Sequence, residues 1–347
     1  MRALRKLLLP FSLIYSGILR IRHFIYDTGV KESYRPLQQT IVLGNLALGG
    51  TGKTPMTLYF LNRLDAGTTA VLSRGYGRKT KGTFVVEASS TPEECGDEPL
   101  MIKQRHPEVM VLVDENRKRG LGYLAENHPE IKTVLLDDAY QHRKITADRY
   151  LLLTTYGMPY SSDQLLPAGN LRDLKMRRKA ADAIVVTKCP ADLKKTEKAN
   201  LARELSASPD QKIFFAHLTY DEPKPLFAND GLSLTGGREV ILLSGIAQPH
   251  VFEKQAAQDF QVIKHFIFKD HHPFKREDLF KLRDFIDTFE GAKPAVITTE
   301  KDAMRLSKFA DWFEENEIEI WFWPIRMNFG TETESFDQLI QKYARKS

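Results

Sequence analysis

Cysteine is scarce in this chain: only Cys95 and Cys189 occur among 347 residues, far apart and outside any Cys-x-x-Cys pair. This scarcity excludes a disulfide framework and a cysteine-rich zinc site, and it favours a reducing, cytosolic compartment. Long apolar runs are missing as well. The uncharged stretch near the N-terminus covers residues 7–19, thirteen positions, whereas a helix that crosses a bilayer needs about 20.

A broad excess of one charge is also absent. Lys and Arg number 50 against 45 Asp and Glu, a net charge of +5. Residues 1–26 carry five of the basic residues and no acidic one, so the remainder of the chain is balanced. A nucleic-acid-binding protein is expected to carry a basic surface, and the sequence therefore predicts no nucleic-acid partner.

Residues 1–30 are predicted to form an amphipathic N-terminal helix. Pro10 suits a first helical turn, and apolar residues recur after it with helical spacing at Phe11, Ile14, Tyr15, Ile18, Ile21 and Ile25. The opposite side carries Ser12, Ser16, Arg20 and His23. Two interpretations are open on these residues alone: an interfacial helix on an anionic membrane, or a helix whose apolar side packs against the protein's own core.

From residue 39 onward, short apolar runs alternate with helical patterns, which indicates parallel sheets covered by helices. Strands are predicted at 40–44, 69–73, 109–113, 133–136, 150–154, 183–187, 240–243, 260–268, 295–299 and 318–323. Helices are predicted at 55–64, 115–127, 193–205, 275–289 and 335–344. The length suits two domains. We place them at 31–222 and 238–347, the second one smaller, with a linker at 223–237 that is rich in Asp, Pro, Gly and Asn.

The strongest local motif lies between the first predicted strand and the first helix after it. Residues 44–54 read Gly-Asn-Leu-Ala-Leu-Gly-Gly-Thr-Gly-Lys-Thr, the setting of a P-loop, in which backbone N–H groups bind phosphate, a Lys neutralises it and a Thr ligates Mg²⁺. The predicted nucleotide contacts are Ala47, Leu48, Gly49, Gly50, Thr51, Gly52, Lys53 and Thr54. Ala47 stands where the strict pattern has glycine. The larger domain is therefore predicted to be a P-loop NTPase-like α/β domain.

Carboxylates end the predicted strand at 133–136. In P-loop enzymes an Asp at such a strand end holds magnesium or its water shell, so Thr54, Asp137 and Asp138 are the predicted Mg²⁺ residues. GTPases commonly hold guanine with an Asn/Thr-Lys-x-Asp motif. The corresponding residues 187–190 read Thr-Lys-Cys-Pro, which lacks that Asp and favours ATP.

Five further segments carry charged or polar groups beside strand ends or turns: 73–78, 96–99, 137–142, 165–173 and 268–274. Together with the P-loop they resemble the tetraacyldisaccharide 4'-kinase family of lipid A biosynthesis over nearly the whole chain. The resemblance implies transfer of the ATP γ-phosphate to the 4'-hydroxyl of a tetraacyl glucosamine disaccharide 1-phosphate. It also implies work at the cytoplasmic face of the bacterial inner membrane, as a peripheral or monotopic protein, which favours the membrane interpretation of the helix. No obligate protein partner is expected.

The resemblance also implies roles for particular residues. Lys53 and Thr54 match the P-loop pair, Asp97 the general base, His271 the partner of that base and Arg172 an arginine that stabilises transferring charge. Because Asp97 and His271 fall in different predicted domains, we expect the base to assemble when the domains approach. Substrate contacts are expected from Arg74, Arg78, Glu98, Gln141 and His142. Ala139 and Asp173 depart from the family pattern, which has Gly and Glu there.

Another class of function is compatible with the P-loop itself. A membrane-tethered ATPase switch would use the same loop without a small-molecule acceptor. Some motifs also have structural interpretations: Asp97 can cap a helix, residues 300–302 read as a helix-start charge cluster, and residues 321–323 read as a core strand. The second domain with His271 distinguishes the kinase from the switch, since a switch does not need it.

Overall fold

The computed structural model describes residue 5 and residues 7–227 and 233–345. The strand that precedes the P-loop belongs to a first sheet of eight strands. In spatial order the strands are β3-β4-β2-β5-β1-β6-β7-β8, and all are parallel except β3. Their bounds are β1 Gln39–Asn45, β2 Thr69–Ser73, β3 Phe84–Val85, β4 Met110–Val113, β5 Thr133–Asp137, β6 Arg149–Thr155, β7 Ala183–Thr187 and β8 Lys212–Phe215. The predicted parallel sheet is confirmed, and β1 lies at its centre between β5 and β6.

A second sheet is built from the later strands, in the order β10-β14-β13-β11-β12, parallel except at β10. The remaining pair, β9 and β15, forms an antiparallel ribbon through which the chain passes from the first sheet to the second and back. The bounds are β9 His217–Tyr220, β10 Lys224–Pro225, β11 Glu239–Ser244, β12 Gln261–Ile267, β13 Ala295–Thr299, β14 Ile320–Trp323 and β15 Ile325–Asn328.

Helices cover both sheets. They are α1 Leu9–Asp27, α2 Lys53–Leu61, α3 Pro92–Cys95, α4 Asp97–Arg105, α5 Arg117–Asn127, α6 Lys195–Leu205, α7 Pro249–Asp259, α8 Arg276–Ile286, α9 Glu300–Leu306, α10 Ala310–Glu315 and α11 Thr333–Ala344. Short 3₁₀ turns occur at Ala66–Thr68, Lys175–Ala180, Ser307–Phe309 and Gly330–Glu332. The predicted α/β class is therefore confirmed.

Each sheet is buried on both faces. Because alternate strand residues point to opposite sides, neighbouring residues of one strand pack in different apolar clusters. Ile41 and Leu43 of β1 pack in one apolar cluster, and Val42 packs in the other. The second sheet divides in the same way between two further clusters. Trp321 and Trp323 lie in one of these clusters, which agrees with the core-strand interpretation of residues 321–323.

The division into domains stays a prediction, and two features of the fold bear on where its bounds fall. Helix α11 packs Phe336 and Ile340 in the same cluster as Met56 of α2, so the last helix lies against the first sheet. Strand β10 falls within the segment expected to be a linker and forms the edge of the second sheet. Residues 228–232 of that segment lie outside the described residues.

Helix α1 carries its apolar side outward. Phe11, Ile14, Ile18 and Ile21 are exposed, whereas the side that faces the protein holds Ser12, Leu19 and His23. The interpretation in which the apolar side packs on the protein's own core is therefore wrong. Among the described helices, none combines the length and apolar character needed to cross a membrane.

Candidate active site between the two sheets

The P-loop follows β1 and leads into α2. Its backbone takes left-handed conformations at Gly49 (φ +99°) and Gly52 (φ +82°), where glycine is favoured because it lacks a Cβ. Ala47 instead forms an antiparallel bridge with Leu171. An extended residue needs no glycine, which explains the departure from the strict pattern at position 47.

Side chains from neighbouring strands hold this loop in place. The Asn45 amide at the end of β1 donates to Thr51 Oγ1 at 2.8 Å. The Thr187 hydroxyl at the end of β7 donates to the Thr51 carbonyl, also at 2.8 Å. The loop is thus positioned by the carboxyl ends of two strands, where ligands of open α/β sheets bind.

Two cationic side chains converge on Asp138, which follows β5. Lys53 Nζ lies 3.6 Å from Asp138 Oδ1. Arg172 Nη1 donates to Asp138 Oδ2 at 3.1 Å, and Arg172 Nη2 donates to both Asp138 Oδ1 and the Asn45 amide oxygen. Burial acts to raise the pKa of Asp138, but these two cations outweigh it and hold that pKa below its ordinary value. We call Lys53, Asp138 and Arg172 the phosphate side of the site.

Asp137 lies deeper than Asp138 and is buried. It accepts a bond from Ser73 Oγ at 3.3 Å, while its Oδ1 has no hydrogen-bond partner. Burial, followed by repulsion from Glu98 and Asp138, raises the pKa of Asp137 to about 7. A buried carboxylate oxygen without a partner is costly, so its environment suits a cation.

The buried Arg117 holds the end of β5 in place. Its guanidinium donates to the Asp114 carbonyl at 2.6 Å and to the Asp137 carbonyl at 3.2 Å. Burial lowers the pKa of Arg117 to about 10. The sequence analysis did not single out this residue.

The second group of functional side chains assembles across the junction of the two sheets. Asp97 begins α4 after Gly96, whose φ of +92° and tight approach to the Tyr76 carbonyl leave no room for a Cβ. His271 lies beyond the carboxyl end of β12, and its Nδ1 is 3.1 Å from Asp97 Oδ2. The structure therefore brings the predicted base and its partner together.

Two cations of α9 complete this group. Arg305 Nη1 lies 3.2 Å from Asp97 Oδ2. Lys301 Nζ lies 3.1 Å from His271 Nε2 and donates to Glu98 Oε1 at 2.8 Å. We call Asp97, His271, Lys301 and Arg305 the base side.

Sequence reasoning missed Lys301 and Arg305. It interpreted residues 300–302 as a structural cluster, which is accurate for Glu300 and Asp302. Thr299 accepts a cap bond from the Asp302 N–H, and Glu300 forms a two-point ion pair with Arg105 of α4. The available signal was the position of this segment directly after the predicted strand 295–299.

The predicted substrate contacts have different surroundings. Arg78 is already bound within the protein. It donates to the carbonyls of Gly82, in its own loop, and of Val113, at the end of β4, and it pairs with Glu115. Arg74 is exposed. The positive charge of Arg74 helps to lower the pKa of both Arg117 and His142.

Gln141 and His142 follow the acidic strand end. The Gln141 amide donates to the Asn45 carbonyl at 2.7 Å, so it also braces the start of the P-loop. Burial lowers the pKa of His142 to about 4, helped by the nearby charges of Arg117 and Arg74. His142 also lines a cavity of about 660 Å³ between α1 and the body, together with Ile18, Ile21, Arg22, Arg117 and Arg143 among others.

Helix α1 is tied directly to the loop that carries Arg172. The Tyr15 hydroxyl donates to the Arg172 carbonyl at 3.0 Å. His23 Nε2 lies 2.6 Å from the buried Asp173 Oδ1. Asp173, a departure from the family pattern, thus serves here as an anchor for the helix.

Lys188 reaches across the P-loop from the end of β7. Its Nζ donates at 2.8 Å to Oε1 of Gln248, which belongs to the half of the molecule built on the second sheet. The same Nζ lies 3.9 Å from the position that a Cβ on Gly50 would take. Burial lowers the pKa of Lys188. Lys188 is therefore a further cation beside the P-loop, and the sequence analysis did not identify it.

The chain is similar to known proteins over nearly its whole length. The family model described as Tetraacyldisaccharide-1-P 4'-kinase matches residues 4–345. The tetraacyldisaccharide 4'-kinase of Flavobacterium johnsoniae is 36% identical over 100% of this chain and 99% of that protein. The Parabacteroides distasonis protein of the same name is 36% identical over 97% of this chain and 94% of that protein.

A solved structure extends the similarity to the fold. The crystal structure of LpxK from Aquifex aeolicus in complex with ATP has a TM-score of 0.78 and 28% identity, covering 99% of this chain and 100% of that one. The similarity in sequence and the similarity in fold both cover nearly the whole chain. The chain belongs to the Tetraacyldisaccharide-1-P 4'-kinase family.

Proposed function

We propose that this protein transfers the γ-phosphate of ATP to the 4'-hydroxyl of a tetraacyl glucosamine disaccharide 1-phosphate. The observation that carries the proposal is that one chain combines a P-loop with an Asp97–His271 pair, in which His271 Nδ1 lies 3.1 Å from Asp97 Oδ2. Phosphoryl transfer to an alcohol requires both a charged phosphate cradle and a group that takes the alcohol proton. The names of the relatives support the choice of acceptor.

The residues divide the chemistry between them. Lys53 and Arg172 neutralise the phosphate oxygens as negative charge moves toward the leaving group. Asp97 takes the proton from the acceptor hydroxyl while that oxygen forms its bond to the γ-phosphorus. The bond from the γ-phosphorus to the β,γ-bridging oxygen breaks, and ADP leaves with that electron pair.

Thr54, Asp137 and Asp138 suit a magnesium ion, the metal that accompanies ATP in most kinases. Asp137 offers a buried carboxylate oxygen without a partner, and hard oxygen donors are the ligands that Mg²⁺ prefers. In the described part of the chain, no three His, Cys, Asp or Glu side chains cluster as a metal site of their own. Mg²⁺ is usually held by one or two carboxylates together with phosphates and water. The ion would supply positive charge that neutralises the phosphates.

The acceptor approaches from the side of α1 in this proposal. The cavity beside the helix is lined by Arg22, Arg117, Arg143 and His142, which suit a sugar phosphate. The exposed apolar side of the helix suits the acyl region of a membrane. The protein would act as a peripheral or monotopic enzyme at the cytoplasmic face of the inner membrane.

A membrane test uses vesicles of mixed zwitterionic and anionic lipid. The double variant Ile14→Asp/Ile18→Asp changes exposed positions of α1 and should lower co-flotation with the vesicles about tenfold or more. Val251→Asp changes an exposed apolar residue on α7 and serves as the matched control. Equal co-flotation of all three proteins would contradict membrane binding through α1.

The transfer test measures labelled γ-phosphate passed from ATP to a tetraacyl disaccharide 1-phosphate in mixed micelles. The wild type should label the lipid, with ATP preferred over GTP, and Lys53→Ala should lose that labelling. ATP hydrolysis without labelled lipid, under conditions where a known kinase of this type works, would contradict the proposal. That result would favour the ATPase switch.

A further inference from the structure

Lys301 contacts Nε2 of the His271 ring, the nitrogen that does not face Asp97. Its Nζ lies 3.1 Å from His271 Nε2, and it also donates to Glu98 Oε1 at 2.8 Å. Lys301 belongs to α9 and Glu98 to α4, so the ammonium group joins the two halves of the molecule at the base side. Glu98 supplies its countercharge.

The chemistry of these groups fixes the direction of each hydrogen bond. A lysine ammonium has three donors and no acceptor, so His271 Nε2 must present its lone pair to Lys301. A neutral imidazole carries a proton on only one nitrogen, which leaves the proton on Nδ1. That N–H then donates to Asp97 Oδ2 at 3.1 Å.

The other charged groups around the ring do not alter this arrangement. Asp270 Oδ1 is 4.0 Å from His271 Nε2, beyond hydrogen-bond distance. Arg305 contacts Asp97 Oδ2, the same oxygen that faces His271, and not the ring. The Tyr76 ring packs against the imidazole with centroids 5.3 Å apart. Among the described residues around the ring, Lys301 is therefore the charged group within hydrogen-bond distance of His271 Nε2.

We infer that Lys301 is a positioning residue that keeps His271 neutral, with its ring proton on Nδ1 and directed at Asp97. This inference rests on the proposed function, since it describes how the base of the transfer is prepared. An imidazolium would turn an N–H toward the ammonium of Lys301, and the repulsion disfavours it. His271 then orients Asp97 and does not relay the proton itself.

The state of His271 matters for the basicity of Asp97. A neutral N–H donor orients the carboxylate but leaves most of its negative charge available. An imidazolium would add a second ion pair to the one that Asp97 already forms with Arg305, and it would weaken Asp97 further as a proton acceptor. Without Lys301, the ring is free to take a proton from solvent and form that ion pair.

A nuclear magnetic resonance measurement tests the protonation state without any catalytic step. The protein is labelled with ¹⁵N in its histidine rings, and the His271 signals are identified by their loss in His271→Gln. In the wild type at neutral pH, Nδ1 should be protonated and Nε2 unprotonated. In Lys301→Met, Nε2 should become protonated, whereas Lys301→Arg, which keeps a donor, should resemble the wild type.

Kinetics supply the second readout. Lys301→Met should lower kcat about tenfold at neutral pH, a part of the ~10²–10⁴ that a general base contributes. The KM for ATP should not change, and kcat should recover as the pH is raised and the ring loses its extra proton. Lys308→Met removes another cation, whose Nζ lies 3.6 Å from Glu93 of the first half, and should keep full activity.

Two results would overturn the inference. One is a proton on Nε2 in the wild type, which needs no variant to be observed. The other is a Lys301→Met protein with an unchanged His271 spectrum and the same fractional loss of kcat at every pH, as expected from loosened packing. Failure of the proposed function would look different: the wild type would not label the lipid, whatever the spectrum shows.

Discussion

Lys53, Asp138 and Arg172 all come from the half of the molecule built on the first sheet, whereas Asp97 meets His271, Lys301 and Arg305 across the junction of two sheets. The phosphate side is therefore complete within one half, with Lys53 and Arg172 on a single carboxylate. The base side exists only while the halves are docked. Nucleotide binding and proton removal should respond differently to the same disturbance.

The largest effect is expected from Lys53→Ala, which removes the phosphate side. Phosphate charge would go uncompensated in both the bound and the transferring state, so transfer should fall at least about 100-fold and ATP affinity should fall with it. Labelled transfer and equilibrium ATP binding are the measurements. Lys254→Ala, at an exposed position of α7, is the control, and retention of ATP affinity by Lys53→Ala would contradict the assignment.

Asp97→Asn should separate the two sides. The amide cannot take the hydroxyl proton, so kcat should fall by ~10²–10⁴, while ATP affinity stays at the wild-type value because the phosphate side is intact. Single-turnover transfer and ATP binding are measured on the same preparation. A loss of ATP affinity as large as that of Lys53→Ala would contradict the separation of the phosphate side from the base side.

A smaller effect is expected from loosening the junction itself. Glu300→Gln discharges the two-point pair with Arg105, which joins α9 to α4 next to the base side. We expect kcat to fall about tenfold and ATP affinity to hold, since removing one partner of a largely buried pair is costly. Glu93→Gln discharges a more exposed pair at the same junction and should have little effect; equal effects of the two changes would argue against a specific role for Arg105–Glu300.

The smallest effect concerns the stability of the first half. The folded-state pKa of His142 is about 4 against an ordinary 6.5, so between these values the unfolded chain binds a proton that the folded chain excludes. The free energy of unfolding should therefore rise with pH across this window, by at most about 1.4 kcal/mol per pH unit from this group. His142→Gln should flatten that dependence in denaturant titrations, and an equally steep dependence in the variant would contradict the assigned burial.

Most of the first half could be predicted from sequence because its signals are local. The strands at 69–73 and 183–187 have their predicted bounds, since each is a continuous apolar run bounded by polar residues. The P-loop was also predictable as a segment. What Ala47 does there was not, because its bridge to Leu171 joins residues far apart in the chain.

The base side was predictable only in part, for the same physical reason. The resemblance to a family paired Asp97 with His271, but Lys301 and Arg305 read as ordinary helix-start charges in isolation. Their partners on α4, Glu98 and Asp97, lie about 200 residues away in sequence, beyond the reach of any pattern within one helix. Helical periodicity also located the two sides of α1 without telling which one faces the protein; the burial of Ser12 and His23 decides that.

The central claim is that Asp97 and His271 act as one unit assembled across the junction, separate from the phosphate side. A double-mutant cycle on kcat for lipid phosphorylation tests it most directly, with Asp97→Asn, His271→Gln and the pair. We predict that the double variant is no slower than Asp97→Asn alone, a strong non-additivity of contacting residues, with ATP affinity unchanged in all three. Losses that multiply independently in the double variant would contradict the claim.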